Sequence, residues 1–507
     1  MIPGRATAKG TADYSDRFPD IAYHGFGSTT WNVSAAGFGC YRVSVDVNDH
    51  AAAMTRAITH GINLIDTSAN YTDGASERLV GQVLESLVHE KRLQREQVVV
   101  VSKVGYLQGH NFTLSEQRKK EGRPFPDLVP YAPQLEHCIH PEFVADQLER
   151  SLKRLQLETL DVLLLHNPEY YLGWAARQEI DQETSRSTFY KRVKSAFRHL
   201  EQEVDRGRIQ AYGVSANTFV AGPGDAEFVS LERIWKIACS IRSDHHFRVI
   251  QLPMNLYESE AVTEPNQSDG QSTLAVARRH GLGVLVNRPL NAFSGNRLIR
   301  LADPERVGWH SDDDVIRAIG ALQKSEVRLW RKLLPDLSLP LPLYRRIKEQ
   351  AAVADHLKHY WRNFGSWDRW CQARDGFLKP HIQGVINYLE RLEDLPQALT
   401  RWMGDHQKYI EAAFKAVGSL YVSEAEKEAG RLKKTVAAAD SDWPDAAGLS
   451  RQALRALRST AGISSVLVGM RQTNYVDDVL QELRHPVRQI DRTESWHRLK
   501  RALELAM

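Results

Sequence analysis

The chain has 507 residues, with 42% hydrophobic and 25% charged side chains, a composition that excludes wholesale disorder. Its 66 basic and 63 acidic side chains leave a net charge of +3, which argues against a nucleic-acid binder, since such proteins carry a basic excess or stripe. At roughly 150 residues per domain, the length calls for about three domains, or for one large barrel that carries an insertion.

From residue 35 onward one rhythm repeats: a short apolar run, a helical pattern, then another short apolar run. Ala36–Gly39 reads as a strand, Asp49–His60 as a helix, Ile62–Ile65 as a strand and Ser76–Leu87 as a helix. Val98–Ser102 is the β-branched run VVVVS, as a strand buried on both faces requires. Helix Pro141–Leu155 and strand Leu160–Leu165 follow, then helix Ser185–Arg206 and strand Ala211–Val214. Helix Asp225–Ile241, strand Val249–Leu252, helix Ser272–His280 and strand Gly283–Val286 continue the series. Strands alternating with helices imply a parallel sheet with right-handed crossovers. An eighth strand, Ser465–Val468, lies far downstream between helical Ser450–Ser459 and Thr473–Leu483.

The segment before it, Asp303 to Pro444, has no convincing strand. Helical periodicity runs through Asp314–Leu334, Leu343–Phe364, Pro380–Leu392 and Gln397–Ala437. The expected class is therefore α/β: a (β/α)8 TIM barrel over residues 35–302 and 445–507, with a large all-helical insertion, 303–444, between strands seven and eight. Residues 1–34 read as an N-terminal extension. The insertion follows the C-terminal end of strand seven, so it enters on the catalytic side, where it can cover or gate a site. Its Trp330, Trp361, Trp367, Trp370 and Trp402 are expected in its own core or in a dock on the barrel.

No apolar run reaches the ~18 residues of a membrane helix, and Met1–Arg17 lacks the apolar core of a signal peptide. The four cysteines, Cys40, Cys138, Cys239 and Cys371, are far apart, which is neither a disulfide framework nor a zinc site. His137, Cys138 and His140 read as a loop with exposed imidazoles, because no second ligand pair stands at metal spacing. A cytoplasmic protein without a metal and without a membrane contact is expected.

Eight-fold barrels carry their active sites at the C-terminal strand ends. Strand two ends at Asp66, with Tyr71 just beyond; strand three ends in Ser102-Lys103; strand four ends at His166. A buried ammonium beside a phenol stabilises the phenolate and lowers the phenol's pKa from about 10. Asp66 would hold Lys103 charged, Tyr71 would become a usable proton donor, and His166 would fix a carbonyl oxygen. The set lacks a hydride source, a role that needs a nicotinamide.

The run Gly61-Ile62-Asn63-Leu64-Ile65-Asp66-Thr67-Ser68-Ala69-Asn70-Tyr71, with Ser76-Glu77 and Gly81, resembles the aldo-keto reductase signature. Ser102-Lys103, Leu165-His166-Asn167, Gly207-Arg208-Ile209 leading to Gly213-Val214-Ser215, Gln251-Leu252-Pro253-Met254-Asn255 and Val468-Gly469-Met470-Arg471 extend the resemblance. The end with Tyr475-Val476-Asp477 is similar to a bacterial branch, some of whose members act on sugars. The resemblance implies a catalytic tetrad of Asp66, Tyr71, Lys103 and His166, with Tyr71 as general acid/base. It implies that Ser215 and Gln251 hold the nicotinamide carboxamide, with Asn217 and Asn287 as further candidate cofactor-binding residues. Arg288, Pro289 and Leu290 would wrap the pyrophosphate; Gly469, Met470, Arg471, Tyr475 and Asp478 would receive the adenosine phosphate end.

The sequence departs from that pattern in places. Ala216 stands where many members have Asn, with Asn217 one residue late; Asn287 stands where many stack an aromatic ring; Tyr475 stands where NADP-selective members often have Arg. Arg471 remains to meet a 2′-phosphate, since guanidinium binds phosphate bidentately. The expected cofactor is NADP, with NAD the alternative. Tyr41, Arg42, Tyr106, Asn167 and Trp174 are the candidate substrate residues, with Tyr170 and Tyr171 nearby. The charge run Lys119, Lys120 and Arg123 reads as a solvated face or as a site for an anionic substrate. The implied activity is hydride transfer between nicotinamide and a small carbonyl or alcohol: a sugar, an aldehyde or a ketone. Two alternatives stand beside it: a nucleotide-binding sensor subunit that meets its partner through the insertion, and an internal-redox sugar enzyme with a tightly held cofactor. The insertion is also the candidate surface for a homo-oligomer.

Overall fold

The structure is a computed structural model that describes all residues except 295–296, 306, 338, 393–394, 445–447 and 506–507. The expected resumption of the barrel at residue 445 lies outside the described residues. Eight parallel strands close a barrel: β1 Ala36–Gly39, β2 Leu64–Asp66, β3 Val99–Val104, β4 Leu160–His166, β5 Ile209–Ser215, β6 Phe247–Pro253, β7 Gly283–Asn287 and β8 Ser465–Val468. They neighbour one another in chain order, and β8 pairs with both β7 and β1. The register sets Gly39 beside Asp66 and His166 beside Ser215, with Ser215 in turn beside Gln251. Residues that end successive strands thus meet at one rim. Between β5 and β6 the backbones approach closely: a Cβ on Gly213 would lie 1.9 Å from the Val249 carbonyl oxygen, so only glycine fits.

The barrel interior is a layer of Leu64, Val99, Val101, Val162, Leu164, Ala211, Val249, Leu285 and Leu467. Ala6, Phe26, Trp31 and Val33 pack into the same core. They come from an N-terminal helix–hairpin segment: helix Ala8–Asp16, then strands Tyr23–Gly25 and Asn32–Ser34 paired antiparallel. Below this layer the Arg95–Asp161 pair, 2.8 Å apart and buried, also receives the Ala6 amide.

Helices Leu449–Arg458 and Thr473–Leu483 flank β8 and share a buried charge cluster. The Glu482 carboxylate accepts from Arg455 at 2.6 and 3.0 Å and from Arg458 at 2.7 and 3.0 Å. Removing the shared anion leaves two buried guanidinium groups uncompensated. Glu482→Gln is expected to destabilise the barrel by about 3–5 kcal/mol, read as a lowered urea midpoint; a loss under about 1 kcal/mol would mean that water reaches these arginines.

The chain divides into two compact units, Met1–Arg297 with Thr435–Met507, and Leu298–Lys434. The second unit is helical: Asp312–Arg328, Leu341–Ala351, Val353–Tyr360, Trp367–Ala373, Lys379–Glu390 and most of the 43-residue helix Gln397–Ala439. The single helix expected over Leu343–Phe364 is two, broken at Ala352, whose ψ of 58° leaves the helical region. Trp361, Trp367 and Trp370 centre one core with Val315, Leu357 and Phe414. Trp402 centres a second with Leu329, Ile347 and Leu389, and Trp330 packs against it. Among the described residues, no helix is long and apolar enough to cross a membrane.

Candidate active site

The four polar strand-end residues converge. Lys103, at 0% exposure, donates from Nζ to Asp66 Oδ2 at 2.6 Å, to the Thr67 carbonyl at 2.9 Å and to the Tyr71 hydroxyl at 3.2 Å. The other Asp66 oxygen accepts from Gln251 Nε2 at 2.8 Å. Tyr71 is carried on a tight turn after β2, in which Thr72 and Asp73 have φ of 49° and 52°. Such backbone is costly for a β-branched residue, and Thr72 is held there by its hydroxyl bond to the Val43 carbonyl.

His166 ends β4, its ring edge-on to the Tyr71 ring at 5.9 Å. Its Nδ1 lies 3.1 Å from the Ser68 hydroxyl, which also reaches Asn70 Oδ1 at 2.7 Å and the Lys103 carbonyl at 3.3 Å. The proton position on the ring is therefore coupled to Ser68. Burial, helped by the Lys103 ammonium, pushes the His166 pKa well below the usual imidazole range, so the ring is neutral at physiological pH.

Burial pulls the Lys103 ammonium down, but Asp66 and Tyr71 outweigh it and the pKa is raised. Lys103 is held charged. The Tyr71 phenol behaves differently from the expectation that Lys103 lowers it. Burial raises its pKa by more than the ammonium lowers it, and the Asp66 carboxylate adds to the rise. Asp66 neutralises much of the charge that would have favoured a phenolate. Tyr71 therefore rests as a neutral phenol, the form that can give a proton.

The long segment after β3 is ordered. Tyr106–Leu107, Val129–Ala132 and Leu135–His137 form a three-stranded antiparallel sheet beside helix Gly109–Lys120. The expectation of exposed imidazoles fails here. His137 is buried, edge-on to Tyr106, and its Nε2 lies 2.7 Å from the His166 carbonyl oxygen; burial takes its pKa down to about 4. His140 caps helix Pro141–Leu155 by accepting from the Glu142 amide. Gly105 permits this packing: a Cβ there would come within 2.6 Å of His137 Nε2. The basic run is largely spent locally, with Lys119 paired to Glu116 and Glu136 and Arg123 to Glu121.

Aromatic rings line the approach. Tyr41, 62% exposed, stands edge-on to Tyr71 at 5.4 Å, with the Arg42 guanidinium over its ring. Tyr106 stands edge-on to His166 at 4.7 Å and to Tyr170 at 5.1 Å, and Tyr170 stacks on Tyr131 at 4.0 Å. Two candidate substrate residues sit otherwise. Trp174 packs its ring on Tyr171. Asn167 is buried with φ 50°, and its amide donates to Glu169.

Across the rim, Ser215 Oγ donates to Gln251 Oε1 at 3.0 Å, and Asn287 Nδ2 approaches the same oxygen at 3.5 Å. Asn287 Oδ1 is buried without a donor among the described residues, a costly state until a ligand supplies one. Asn217 opens a short helical turn, its backbone amide on Glu169. Arg288, φ 53°, pairs with Glu258 at 2.9 Å, followed by buried Pro289 and half-buried Leu290. Gly469 is exposed, with open space where a Cβ would sit. Met470 is fully buried, so only its backbone is available. Tyr475 is exposed, and Asp478 is engaged by Arg451 at 2.6 Å and Ser450 at 2.8 Å. Arg471 makes no hydrogen bond or ion pair among the described residues.

Sequence reasoning passed over Asn255, Glu258 and Glu169. Asn255, fully buried, donates to Glu258 at 2.7 Å and to the Arg288 and Asn291 carbonyls, so it organises the turn after β7. Its signal was its place at the end of the QLPMN run; Glu258 and Glu169 carried none.

The closed (β/α)8 barrel thus carries a rim on which Asp66, Tyr71 and Lys103 are joined by hydrogen bonds, with a neutral His166 beside them. A family model, "Aldo/keto reductase family", matches residues 26–324, and the chain belongs to that family. It is 28% identical over 156 residues to L-galactose dehydrogenase of Arabidopsis thaliana, covering 30% of this chain and 39% of that protein. It is 31% identical over 147 residues to NADH-specific methylglyoxal reductase of Escherichia coli, covering 29% and 39%. To NAD(P)H-dependent D-xylose reductase of Kluyveromyces lactis it is 28% identical over 189 residues, covering 35% and 47%. The chain thus spans less than half the length of each of these relatives. An aldo/keto reductase of Klebsiella pneumoniae, solved with NADP and acetate, aligns with a TM-score of 0.33 at 22% identity, over 53% of this chain and 68% of that one.

Proposed function

We propose that the protein is an NAD(P)H-dependent oxidoreductase acting on a small carbonyl compound or the corresponding alcohol. The observation that carries this reading is Lys103 Nζ bridging Asp66 Oδ2 at 2.6 Å and the Tyr71 hydroxyl at 3.2 Å. When bound, a reduced nicotinamide supplies hydride to the carbonyl carbon. Tyr71 gives its proton to the carbonyl oxygen, and Lys103 stabilises the phenolate left behind. Asp66 keeps Lys103 charged. The neutral His166 ring donates a hydrogen bond to the same oxygen. In alcohol oxidation the same groups act in reverse.

The unpartnered Asn287 Oδ1, beside Ser215 and Gln251, fits a carboxamide, which has N–H groups to give. The rings of Tyr41, Tyr106 and Tyr170 form an apolar, aromatic approach suited to a sugar, an aldehyde or a ketone. The relatives named for L-galactose, methylglyoxal and D-xylose support that range.

NADP is the proposed cofactor, because the Arg471 guanidinium, on the segment after β8, makes no hydrogen bond or ion pair among the described residues. Arg471→Ala is expected to weaken NADPH binding about tenfold, or about 1.4 kcal/mol, and NADH binding by less than about twofold. Titration followed by nicotinamide fluorescence reads both. An equal loss for the two cofactors would contradict the assignment. Failure of the wild-type protein to bind either would overturn the functional reading and favour a role without nicotinamide.

A further inference from the structure

We propose that Glu169 is a positioning residue that ties the end of β4, which carries His166, to the end of β5, which carries Ser215. The inference rests on the reading of this rim as the active site. Immediately after His166, Asn167 turns the chain through left-handed backbone, φ 50°. Its own amide N–H donates to the Ser215 carbonyl at 2.7 Å. Asparagine takes such a turn more readily than most residues with a side chain, but its buried side-chain amide needs an acceptor. Glu169 supplies it: Oε1 accepts from Asn167 Nδ2 at 2.9 Å and from the Asn217 backbone amide at 2.8 Å. One carboxylate oxygen thereby gathers a donor from each of two catalytic-face loops.

The group is built in, not draped over the surface. Glu169 is 1% exposed, and its second oxygen, Oε2, is buried with no partner among the described residues. The titratable groups around it are Tyr106 and Tyr131 from the sheet after β3, Tyr170 on its own helix and Glu227 from the segment after β5. Arg177 acts on Tyr131 and Glu227. A purely structural clamp would be served by a glutamine. Here burial pushes the Glu169 carboxyl up to about 7, with Glu227 adding to the rise and the donors from Asn217 and Asn167 opposing it. The sign follows. Below that pH Glu169 is neutral and a weaker acceptor; above it the ionised carboxylate grips both donors more strongly. The tie between His166 and Ser215 tightens as pH rises through neutrality.

The test uses the full-length protein with NADPH and a carbonyl substrate, comparing wild type, Glu169→Ala and Glu169→Gln. Glu169→Ala is expected to lower kcat/KM by roughly tenfold or more, since small misplacements of catalytic groups cost 10–100-fold. Glu169→Gln, which keeps an acceptor for both donors, is expected to recover to within about threefold and to lack the rise of kcat/KM near pH 7 that is expected of wild type. Hydrogen exchange of residues 215–220 is expected to quicken in Glu169→Ala and to stay slow in Glu169→Gln. Unchanged kcat/KM and exchange in Glu169→Ala would overturn the proposal. So would a Gln variant that keeps the wild-type pH limb. If wild type reduces no carbonyl at all, the functional reading fails on its own, while the exchange measurement still decides whether Glu169 ties the two loops.

Discussion

Replacing Tyr71 by phenylalanine is expected to lower kcat by roughly 10²–10⁴-fold, the range of a lost general acid, with NADPH affinity nearly unchanged. The hydroxyl is the one atom of this ring that Lys103 bonds, at 3.2 Å, and the ring keeps its packing against Tyr41 and His166 without it. A loss confined to kcat marks an interaction made in the transition state rather than in binding. Steady-state kinetics with a nicotinamide titration separates the two. Retained turnover would mean that another group gives the proton.

The second large effect is on Lys103. Its ammonium is the counter-charge of a buried carboxylate, with Asp66 3% exposed. Lys103→Met leaves that charge unpaired and is expected to destabilise the protein by about 3–5 kcal/mol, along with loss of turnover. The double variant Asp66→Asn/Lys103→Met removes both charges. It is expected to regain most of the stability, because a neutral, filled site costs less than a lone buried charge, yet to remain inactive. Urea unfolding and turnover measured on the same samples decide the matter. A single variant as stable as wild type would show that Asp66 is protonated or solvated in the folded protein.

Much of the barrel was legible because its strands are buried on both faces and so read as short apolar runs. Val98–Ser102 and Leu160–Leu165 lie within one or two residues of β3 and β4. The meeting of Asp66, Tyr71, Lys103 and His166 at one rim was legible for the same reason: a polar residue at the end of such a run has only the rim to occupy. What escaped was tertiary. The strands Tyr106–Leu107 and Leu135–His137 are two and three residues long, too short for a period-two pattern to register. Helix Leu231–Ile241 starts later than the expected Asp225, at a point fixed by the Ser230 cap. The direction of the Tyr71 shift depended on how completely the site is buried, a quantity that spacing does not carry. Glu169 and Glu258 accept from groups far along the chain, the Asn217 amide and the Arg288 guanidinium, and no residue pattern along the chain announces such a bond.

Isotope transfer tests hydride transfer at this rim most directly. The protein is incubated with NADPH deuterated at the transferable C4 position and with a panel of small aldehydes, ketones and sugars, and the alcohol products are weighed by mass spectrometry. Deuterium on the former carbonyl carbon is the predicted result, abolished or reduced by orders of magnitude in Tyr71→Phe. Tight NADPH binding with no label in any product would contradict it.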